Sequence, residues 1–281
     1  MTAQIIDGKK IAAECREALK AKIASLHQKP SLAVIQVGDN PASSIYVHSK
    51  EKACTEVGII SKTFHLTDSI SEDELLELIT DLNKDNDING ILVQLPLPKQ
   101  LNEKKILEHI DPIKDVDGFH PVNTGLMIQK SSKAYIPCTP KGIIQLIKSV
   151  KKDLSGLTAV VIGRSLIVGI PTAHLLLAEN CTVTIAHSKT KNLPEICRNA
   201  DILVAAVGKA ELITEDYIKP DALIIDVGIN RTEQGLKGDV KRSASEQKAA
   251  YFTPVPGGVG PMTIAMLLEN TYEAYLKQQH S

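Results

Sequence analysis

The chain has 281 residues, of which 43% are hydrophobic and 23% charged, and its formal net charge is −1. This near-neutral balance, together with the lack of tryptophan, argues against a nucleic-acid-binding protein, because neither a basic surface nor a set of stacking rings is provided. The length predicts one or two domains with a substantial core.

The first third of the chain alternates β-rich runs with helical patterns. Asp7 is placed to cap the first helix, and Ser71-Glu72-Asp73-Glu74 is a capping box that opens a later one. The run 90–96 is apolar throughout, as in strands that are buried on both faces of a parallel sheet. The predicted elements are helix 7–26, strand 31–37, helix 42–57, strand 61–66, helix 71–83 and strand 90–96, followed by a loop over 111–124.

The second half continues the alternation. Thr139-Pro140 is predicted to provide the N-cap and first residue of a helix that runs to about residue 150. The elements predicted after it are strand 157–162, helix 168–179, strand 182–186, helix 194–199, strands 201–207 and 222–227, and helix 261–277. Strands that alternate with helices predict an α/β protein with a doubly wound parallel sheet. We predict two α/β domains that divide near residue 140, with the last helix returning to the first domain and a ligand cleft between them.

The termini and the cysteines indicate the compartment. The chain begins without a basic segment followed by an apolar run, and it has no apolar stretch of about 20 residues, so we expect neither a secretory signal nor a membrane span. Five cysteines without a CxxC pair predict reduced thiols rather than a disulfide scaffold or a zinc site. We therefore expect a cytoplasmic protein.

The segment 157–169 combines a buried strand, a glycine turn and a helix start. Such a turn presents backbone N–H groups and the positive end of a helix to a phosphate, although Gly163-Arg164-Ser165 followed by Gly169 is not the GxGxxG fingerprint. The next predicted strand ends at Ala186, where an NAD site would place an acidic residue for the ribose. The chain has His187-Ser188-Lys189-Thr190-Lys191 there instead.

This composition favours NADP over NAD. No carboxylate repels a 2′-phosphate at this position, and Arg164 offers a planar fork of donors to the same group. For Lys189 and Lys191, a solvated loop is the alternative. Two further strands end in glycine, in Ala205-Ala206-Val207-Gly208 and in Asp226-Val227-Gly228-Ile229-Asn230. These glycines either let the backbone approach the nicotinamide ribose or simply turn the chain.

Tyr46 and Lys50 lie four residues apart and therefore share one face of the predicted helix. One interpretation is catalytic; the alternative is a core stripe with Ala53 and Val57, from which Lys50 reaches solvent. The Tyr-x-x-x-Lys pair of short-chain dehydrogenases is a poor match, because here the pair precedes the glycine turn by more than a hundred residues. Gln94 is the polar residue of an apolar run, and it either bonds to nearby backbone or orients a neighbour such as Lys50.

Two loops complete the candidate chemistry. Asp115-Val116-Asp117-Gly118-Phe119-His120-Pro121 lacks the ligand number and spacing of a known metal site, so no metal is predicted. It is either a solvated turn or a place where Asp117 accepts N–H groups of a heterocyclic ligand. The glycine loop in Pro256-Gly257-Gly258-Val259-Gly260-Pro261-Met262-Thr263 leaves room for a flat ligand to approach the backbone.

Together these segments closely resemble the bifunctional methylenetetrahydrofolate dehydrogenase/methenyltetrahydrofolate cyclohydrolase family. The pieces that match, in the family's order and over nearly the whole chain, are Tyr46-Val47-His48-Ser49-Lys50, Val93-Gln94-Leu95-Pro96, Asp115 to Pro121, Pro137-Cys138-Thr139-Pro140, Gly163-Arg164-Ser165 and Pro256 to Thr263. One departure is Lys209-Ala210, where the family often has Arg-Pro; it puts only details of cofactor affinity in question.

The resemblance implies a homodimer whose subunits have a folate-binding catalytic domain, 1–140 plus 262–281, and a Rossmann-like NADP-binding domain, 141–261. It implies Lys50 as the central catalytic group, Tyr46 stacking on folate, Gln94 holding Lys50 and Asp117 binding the pterin. The implied folate-binding residues are Tyr46, Val47, His48, Ser49, Lys50, Val93, Gln94, Leu95, Asp117, Pro256, Gly257, Gly258, Val259 and Gly260. The implied NADP contacts are Gly163, Arg164, Ser165, Ser188 and Ile229.

The resemblance also implies two activities in one-carbon metabolism, which supplies purine and amino-acid biosynthesis. The first transfers a hydride from 5,10-methylenetetrahydrofolate to NADP+, and the second hydrolyses the methenyl product to 10-formyltetrahydrofolate. The alternatives are a dehydrogenase-only folate enzyme, a two-domain dehydrogenase of the shikimate or amino-acid type, and a nucleotide-binding protein without catalysis.

Overall fold

A computed structural model describes residues 3–279 of the chain, with Ala42 described by its backbone. The chain divides into two compact units, and neither is one continuous segment. Met1–Ala13 and Thr139–Thr263 form the six-stranded unit, and Glu14–Cys138 and Ile264–Ser281 form the three-stranded unit. Two of the three divisions therefore fall inside the first and the last helix, and the third falls after the first residue of the helix Cys138–Val150.

The helices and strands follow one another in nearly regular alternation. The strands are β1 (Gln4–Ile5), β2 (Ser31–Val37), β3 (Ile60–Leu66), β4 (Gly90–Val93), β5 (Thr158–Ile162), β6 (Thr182–Ala186), β7 (Ile202–Ala205), β8 (Leu223–Asp226), β9 (Asn230–Thr232), β10 (Gly235–Lys237) and β11 (Tyr251–Phe252). The helices are α1 (Gly8–Ala24), α2 (Pro41–Val57), α3 (Glu72–Lys84), α4 (Glu103–His109), α5 (Pro121–Ile128), α6 (Cys138–Val150), α7 (Gly169–Ala178), α8 (Leu193–Cys197), α9 (Arg242–Lys248) and α10 (Val259–Gln279). A 3-10 turn spans Glu215–Tyr217.

The three-stranded unit is built on a parallel sheet in the order β3-β2-β4. Every residue of β2 is buried, because the strand is central in the sheet and covered on both faces. Leu75, Ile79 and Leu82 are the buried residues of α3, and they belong to the same core cluster as β2 and β4. The carboxyl end of β4 therefore lies beside the carboxyl end of the central strand β2, where Val93 pairs with Ile35.

The six-stranded unit is a parallel sheet in the order β1-β11-β8-β7-β5-β6. Four of its strands end in register, because Ile162 pairs with both Ala186 and Ala205, and Ala205 pairs with Asp226. The chain leaves β5 toward β6 on one side and later reaches β7 on the other. In such sheets ligands bind outside the carboxyl ends of the strands at this reversal point.

The predicted fold class is confirmed, and each predicted strand and helix exists. Several boundaries differ. β4 ends at Val93 rather than 96, because the chain bends away after the last ladder pair. Residues 121–128 are helical where a loop was predicted through 124, since Pro121 starts α5 and the His120 ring caps it by accepting from Val122 N. α6 begins at Cys138, so Thr139 is not its N-cap; its Oγ1 lies 2.9 Å from Thr263 Oγ1.

Residues 3–13 lie in the six-stranded unit, whereas 1–140 was predicted to belong to the folate-binding domain. Ile6 N donates to Phe252 O and Gln4 N to Ala250 O, both at 2.8 Å, which fixes β1 to the edge of that sheet. A two-residue strand shows no periodicity, so the pattern analysis missed it. Which domain binds folate and which binds NADP stays a prediction.

Local sequence signals explain where the helices begin. Asp7 Oδ1 accepts from Lys10 N at 3.0 Å, as expected for the cap of α1. Ser71 and Glu74 form the predicted capping box, in which each side chain bonds to the other residue's backbone N–H. The five cysteines, which all lie within residues 3–279, form no disulfide there. Among residues 3–279, no helix is both long and apolar enough to span a bilayer.

Candidate active site

Lys50 is held at the carboxyl end of β4. It lies on α2 and is half-buried, and its Nζ donates to Gln94 Oε1 at 2.9 Å. Gln94 follows β4 directly, and its Nε2 donates to Leu95 O at 2.7 Å. Because only the NH₂ end of the amide can donate to a carbonyl, this second bond turns the Gln94 oxygen toward the lysine. The structure therefore favours the interpretation in which Gln94 orients Lys50, not the one in which Lys50 reaches solvent.

Asp117 interacts electrostatically with Lys50. Burial raises the pKa of the Asp117 carboxyl, and the positive charge of Lys50 acts in the opposite direction. The Cys138 Sγ lies 3.7 Å from Asp117 Oδ1 and is its side-chain hydrogen-bond partner. An amine, a neutral amide and a half-buried carboxylate thus meet in the three-stranded unit, which is a set suited to proton transfer and to binding N–H groups.

The other carboxylate of this loop has a structural task. Asp115 is buried and accepts from Phe119 N, His120 N and Asn123 Nδ2 at 3.2, 2.8 and 2.9 Å. Gly118 has φ +74°, and a Cβ there would lie 2.7 Å from Tyr135 O. Asp115 and Gly118 therefore fix the loop on which Asp117 sits. In the part of the chain described, three or more His, Cys, Asp or Glu residues nowhere group in a way that could hold a metal.

The predicted folate-binding residues of α2 differ in their environments. Tyr46 is 38% exposed, so its ring is accessible, and His48 is exposed with its Nδ1 3.9 Å from Glu51 Oε2. Ser49 Oγ donates to Ile45 O at 2.8 Å within the helix. Val47 is buried in the core, as are Ala53 and Val57. On the helix face that carries Lys50, Ala53 and Val57 are therefore buried in the core, whereas Tyr46 is accessible.

The residues 93–95, which were predicted to line the folate site, also differ in how exposed their side chains are. Val93 is 2% exposed and belongs to the hydrophobic core, so its side chain is not available to a ligand. Leu95 is half-buried. The side chains that β4 brings to the site are therefore those that follow Val93.

The glycine loop 256–260 lies in the six-stranded unit and packs against the start of α1. Gly257 O accepts from Lys9 N at 3.0 Å, and a Cβ on Gly8 would lie 1.9 Å from Gly258 O. Pro256 is exposed and Val259 is buried. Gly260 has the most open surroundings of the three loop glycines, with Ile229 Cδ1 at 3.7 Å from an added Cβ. The backbone at the start of α1 therefore occupies part of the space beside these glycines.

The predicted glycine turn follows β5 as expected. Gly163 has φ +136°, and a Cβ there would lie 2.3 Å from Ala206 O, in the loop after β7. A Cβ on Gly169 would lie 2.2 Å from Gly163 O. Both glycines are required because three backbone segments converge at the reversal point of the sheet, which is where a phosphate cradle is expected.

The polar residues around this turn are Arg164, Ser165 and Ser188, and all three are exposed. Ser165 Oγ accepts from Val168 N and Gly169 N at 3.2 and 3.3 Å. These two N–H groups are therefore already bonded to the Ser165 hydroxyl, whereas the turn was predicted to offer its N–H groups to a phosphate. Among residues 3–279 no side chain pairs with the Arg164 guanidinium. Ile229 is 47% exposed and follows β8 at the same edge.

Sequence reasoning missed Asn270, which supports the Asp117 loop from α10. Its Nδ2 donates to Val116 O at 2.8 Å and to Ile136 O at 2.9 Å. Asn270 is fully buried, and one amide thus ties together the two segments that flank Asp117. A buried Asn in an otherwise apolar helical pattern was the available signal.

A second buried carboxylate, Asp226, makes the stability of the protein depend on pH. Burial raises the pKa of the Asp226 carboxyl from 3.8 to about 7. The hydrogen bonds that it accepts from backbone N–H groups act in the opposite direction and lower the pKa. Between about pH 4 and 7 the folded state therefore binds more protons than the unfolded chain, so the free energy of unfolding falls as the pH rises. We expect Asp226→Asn to show a weaker fall than the wild type when urea unfolding is measured from pH 4.5 to 7.5. Equal pH slopes for the two proteins would contradict this.

Comparison with known proteins identifies the family of the chain. Residues 6–117 match a family model described as the tetrahydrofolate dehydrogenase/cyclohydrolase catalytic domain, and residues 137–279 match its NAD(P)-binding domain. The chain is 54% identical over 276 residues to the bifunctional protein FolD of Oceanobacillus iheyensis, covering 97% of this chain and 96% of that protein.

Solved structures extend the likeness to the fold. A bifunctional FolD enzyme from Campylobacter jejuni superimposes with a TM-score of 0.95 at 48% identity, over 98% of this chain and 99% of that one. The Trypanosoma brucei FolD, solved with NADP and an inhibitor, has a TM-score of 0.95 at 34% identity, with both chains covered completely. These matches confirm the predicted resemblance, and with it the enzyme class and a nicotinamide dinucleotide as cofactor. The chain belongs to the tetrahydrofolate dehydrogenase/cyclohydrolase family.

Proposed function

We propose that this protein oxidises 5,10-methylenetetrahydrofolate to 5,10-methenyltetrahydrofolate with NADP+ and then hydrolyses that product to 10-formyltetrahydrofolate. The observation that carries the proposal is the Lys50–Gln94 bond of 2.9 Å beside Asp117. The family resemblance implies that these residues are the catalytic lysine and its partners. The reaction belongs to one-carbon metabolism and supplies purine and amino-acid biosynthesis.

Lys50 acts in the hydrolytic step. Water adds to the bridging carbon of the methenyl cation, the bond from that carbon to N5 breaks, and one proton is released. Lys50 Nζ holds or moves a proton at the reacting centre, which is the task of a general acid–base group. Gln94 fixes the position of Nζ without neutralising it, because an amide oxygen carries no net charge.

Asp117 and Tyr46 bind the substrate in this proposal. A carboxylate accepts only, so it matches a heterocycle that presents N–H donors. The accessible ring of Tyr46 provides a flat apolar surface for the folate. The remaining residues implied by the resemblance, in 47–49, 93–95 and 256–260, are proposed as lining, with Val47 and Val93 supporting their neighbours from the core because their side chains are buried.

The six-stranded unit fits a dinucleotide. Gly163 and Gly169 let three backbone segments converge at the reversal point of the sheet, and the Arg164 fork and the Ser188 hydroxyl are exposed beside it. We propose that Arg164 and Ser188 hold a 2′-phosphate, that Gly163 and Ser165 lie along the pyrophosphate, and that Ile229 contacts the cofactor. NADP+ supplies the hydride acceptor when it is bound.

Purified protein incubated with methylenetetrahydrofolate and NADP+ tests the proposal. Following the absorbance of NADPH and of the methenyl product should show NADPH formation and only transient methenyl accumulation. Accumulation without decay beyond the spontaneous rate would instead identify a dehydrogenase-only enzyme. Binding of NADP without turnover of either folate would identify a nucleotide-binding protein.

Arg164→Ala is expected to weaken NADP binding by about 10- to 100-fold, because a charge-assisted bidentate contact to the 2′-phosphate is lost. NAD lacks that phosphate, so its affinity should change little. Titration calorimetry with both nucleotides measures the two constants. Arg198→Ala is the matched control, since Arg198 lies in the same unit and donates to Asp216 O. Equal losses for NAD and NADP would argue against the phosphate contact.

Three further expectations belong to the same proposal. The family resemblance implies a homodimer and a cytoplasmic location. It also implies that folate binds mainly to the catalytic domain and NADP to the Rossmann-like domain. No nucleic acid or membrane partner is proposed.

A further inference from the structure

Asp239 is a fully buried carboxylate that the proposed mechanism does not use. It accepts four hydrogen bonds: Val207 N and Gly208 N donate to Oδ2 at 2.6 and 3.0 Å, and Lys209 N and the Asn230 amide donate to Oδ1, both at 2.9 Å. Each oxygen thus receives two donors, and three of the four are backbone N–H groups. A carboxylate can satisfy this set because it accepts at every lone pair.

The four donors come from two loops at the same edge of the sheet. Val207, Gly208 and Lys209 follow β7, and Asn230 lies in the segment after β8. Since Ala205 and Asp226 end these strands in register, one side chain ties both loops together. The first loop also adjoins the glycine turn, because Ala206 O faces Gly163.

The second loop is held from both sides. A Cβ on Gly228 would lie 2.3 Å from Asp239 Oδ1, so the carboxylate fills the space that this glycine leaves. Asp226 supports Asp239 in turn, because its Oδ1 accepts from Asp239 N at 2.8 Å and its Oδ2 from Val240 N at 2.9 Å. Ile229 therefore lies between two anchored neighbours and is itself 47% exposed.

We propose that Asp239 is a positioning residue for the cofactor: it fixes the loops 207–209 and 228–230 in the shape that receives the dinucleotide. This rests on the proposed NADP-dependent function. The loops lie beside the glycine turn, and the carboxylate controls their backbone rather than touching the ligand. An amide of the same size cannot replace it, since its NH₂ group would face two donors and leave them without an acceptor.

The test compares Asp239→Asn with Asp201→Asn. Asp201 is the matched control because its carboxylate also accepts a strand-end N–H, from Thr158 at 2.9 Å, but at the opposite, amino edge of the same sheet. We expect Asp239→Asn to raise the NADP dissociation constant by about tenfold or more. Asp201→Asn should bind NADP as the wild type does. Titration calorimetry below both melting temperatures gives these constants without any catalytic assay.

The kinetic readout separates positioning from general damage. Asp239→Asn should raise the KM for NADP+ and leave the KM for the folate and the cyclohydrolase rate within about twofold, because Lys50 lies in the other unit. If Asp239→Asn fails to fold, Asn230→Ala removes one of the four donors and should raise the dissociation constant by about threefold. Wild-type NADP affinity in a folded Asp239→Asn, or in Asn230→Ala where that replaces it, would overturn the inference. No NADP binding by the wild type would instead overturn the proposed function.

Discussion

Replacing Lys50 with methionine is expected to lower the cyclohydrolase rate by about 10²- to 10⁴-fold, the usual contribution of one general acid–base group. Methionine keeps the length of the side chain and most of its packing but removes the amine that donates to Gln94 Oε1 at 2.9 Å. Gln94 keeps its own bond to Leu95 O, so the shape of the site should survive. The decay of the methenyl absorbance measures the rate.

Lys52→Met is the matched control for this variant. Lys52 lies two residues further along α2 and is exposed, so the substitution is the same but the site is not touched. Its cyclohydrolase rate should equal that of the wild type. The melting temperature of both variants shows whether α2 remains folded. A Lys50→Met protein that hydrolyses methenyltetrahydrofolate at the wild-type rate would exclude Lys50 from the reaction.

Gly163→Ala is expected to reduce the free energy of unfolding by about 3 kcal/mol or more and to abolish measurable NADP binding. Its φ of +136° disfavours any side chain, and the added Cβ would lie 2.3 Å from Ala206 O. Neither segment can easily move. Gly163 N donates to Ala186 O at 2.9 Å, and Ala206 N donates to Ile162 O at 2.8 Å. Urea unfolding and titration calorimetry measure the two effects.

Gly156→Ala separates the two causes of this loss. Gly156 lies in the same unit with φ +77°, but nothing lies within 4 Å of an added Cβ. Its substitution should therefore cost about 1–2 kcal/mol from backbone conformation alone and leave NADP binding unchanged. If Gly163→Ala is no less stable than Gly156→Ala, the close approach of the loops after β5 and β7 is not as described.

The fold was predictable because most elements carry a clear period. β2 is a continuous buried run with the bounds expected from the sequence, and the capping box at Ser71 marks the start of α3 to the residue. Elements without such signals were missed. β1 and β11 have two residues each, and α4 and α5 have seven and eight, which is too short for a hydrophobic period to appear.

In the candidate site, the sequence predicted a contact that depends on two particular side chains. Lys50 and Gln94 stand 44 residues apart, and the structure joins them as the resemblance implied. Residues that act on backbone gave no such signal. Asp239 binds N–H groups that lie 30 to 32 residues earlier in the chain, and every residue type except proline offers that donor. Only the folded chain shows which carboxylate supports a loop.

The discontinuity of the two units limits how this gene product can be dissected. A recombinant fragment that spans only residues 137–279 would retain β11 but lose β1, its hydrogen-bonded neighbour at the edge of the sheet. A fragment that ends at residue 117 would lose Asn270 and the rest of the carboxy-terminal helix, which ties down the backbone around Asp117. Neither half contains all the segments of one unit. A chimera between relatives should therefore keep the start of the chain with residues 139–263 and the end of the chain with residues 14–138.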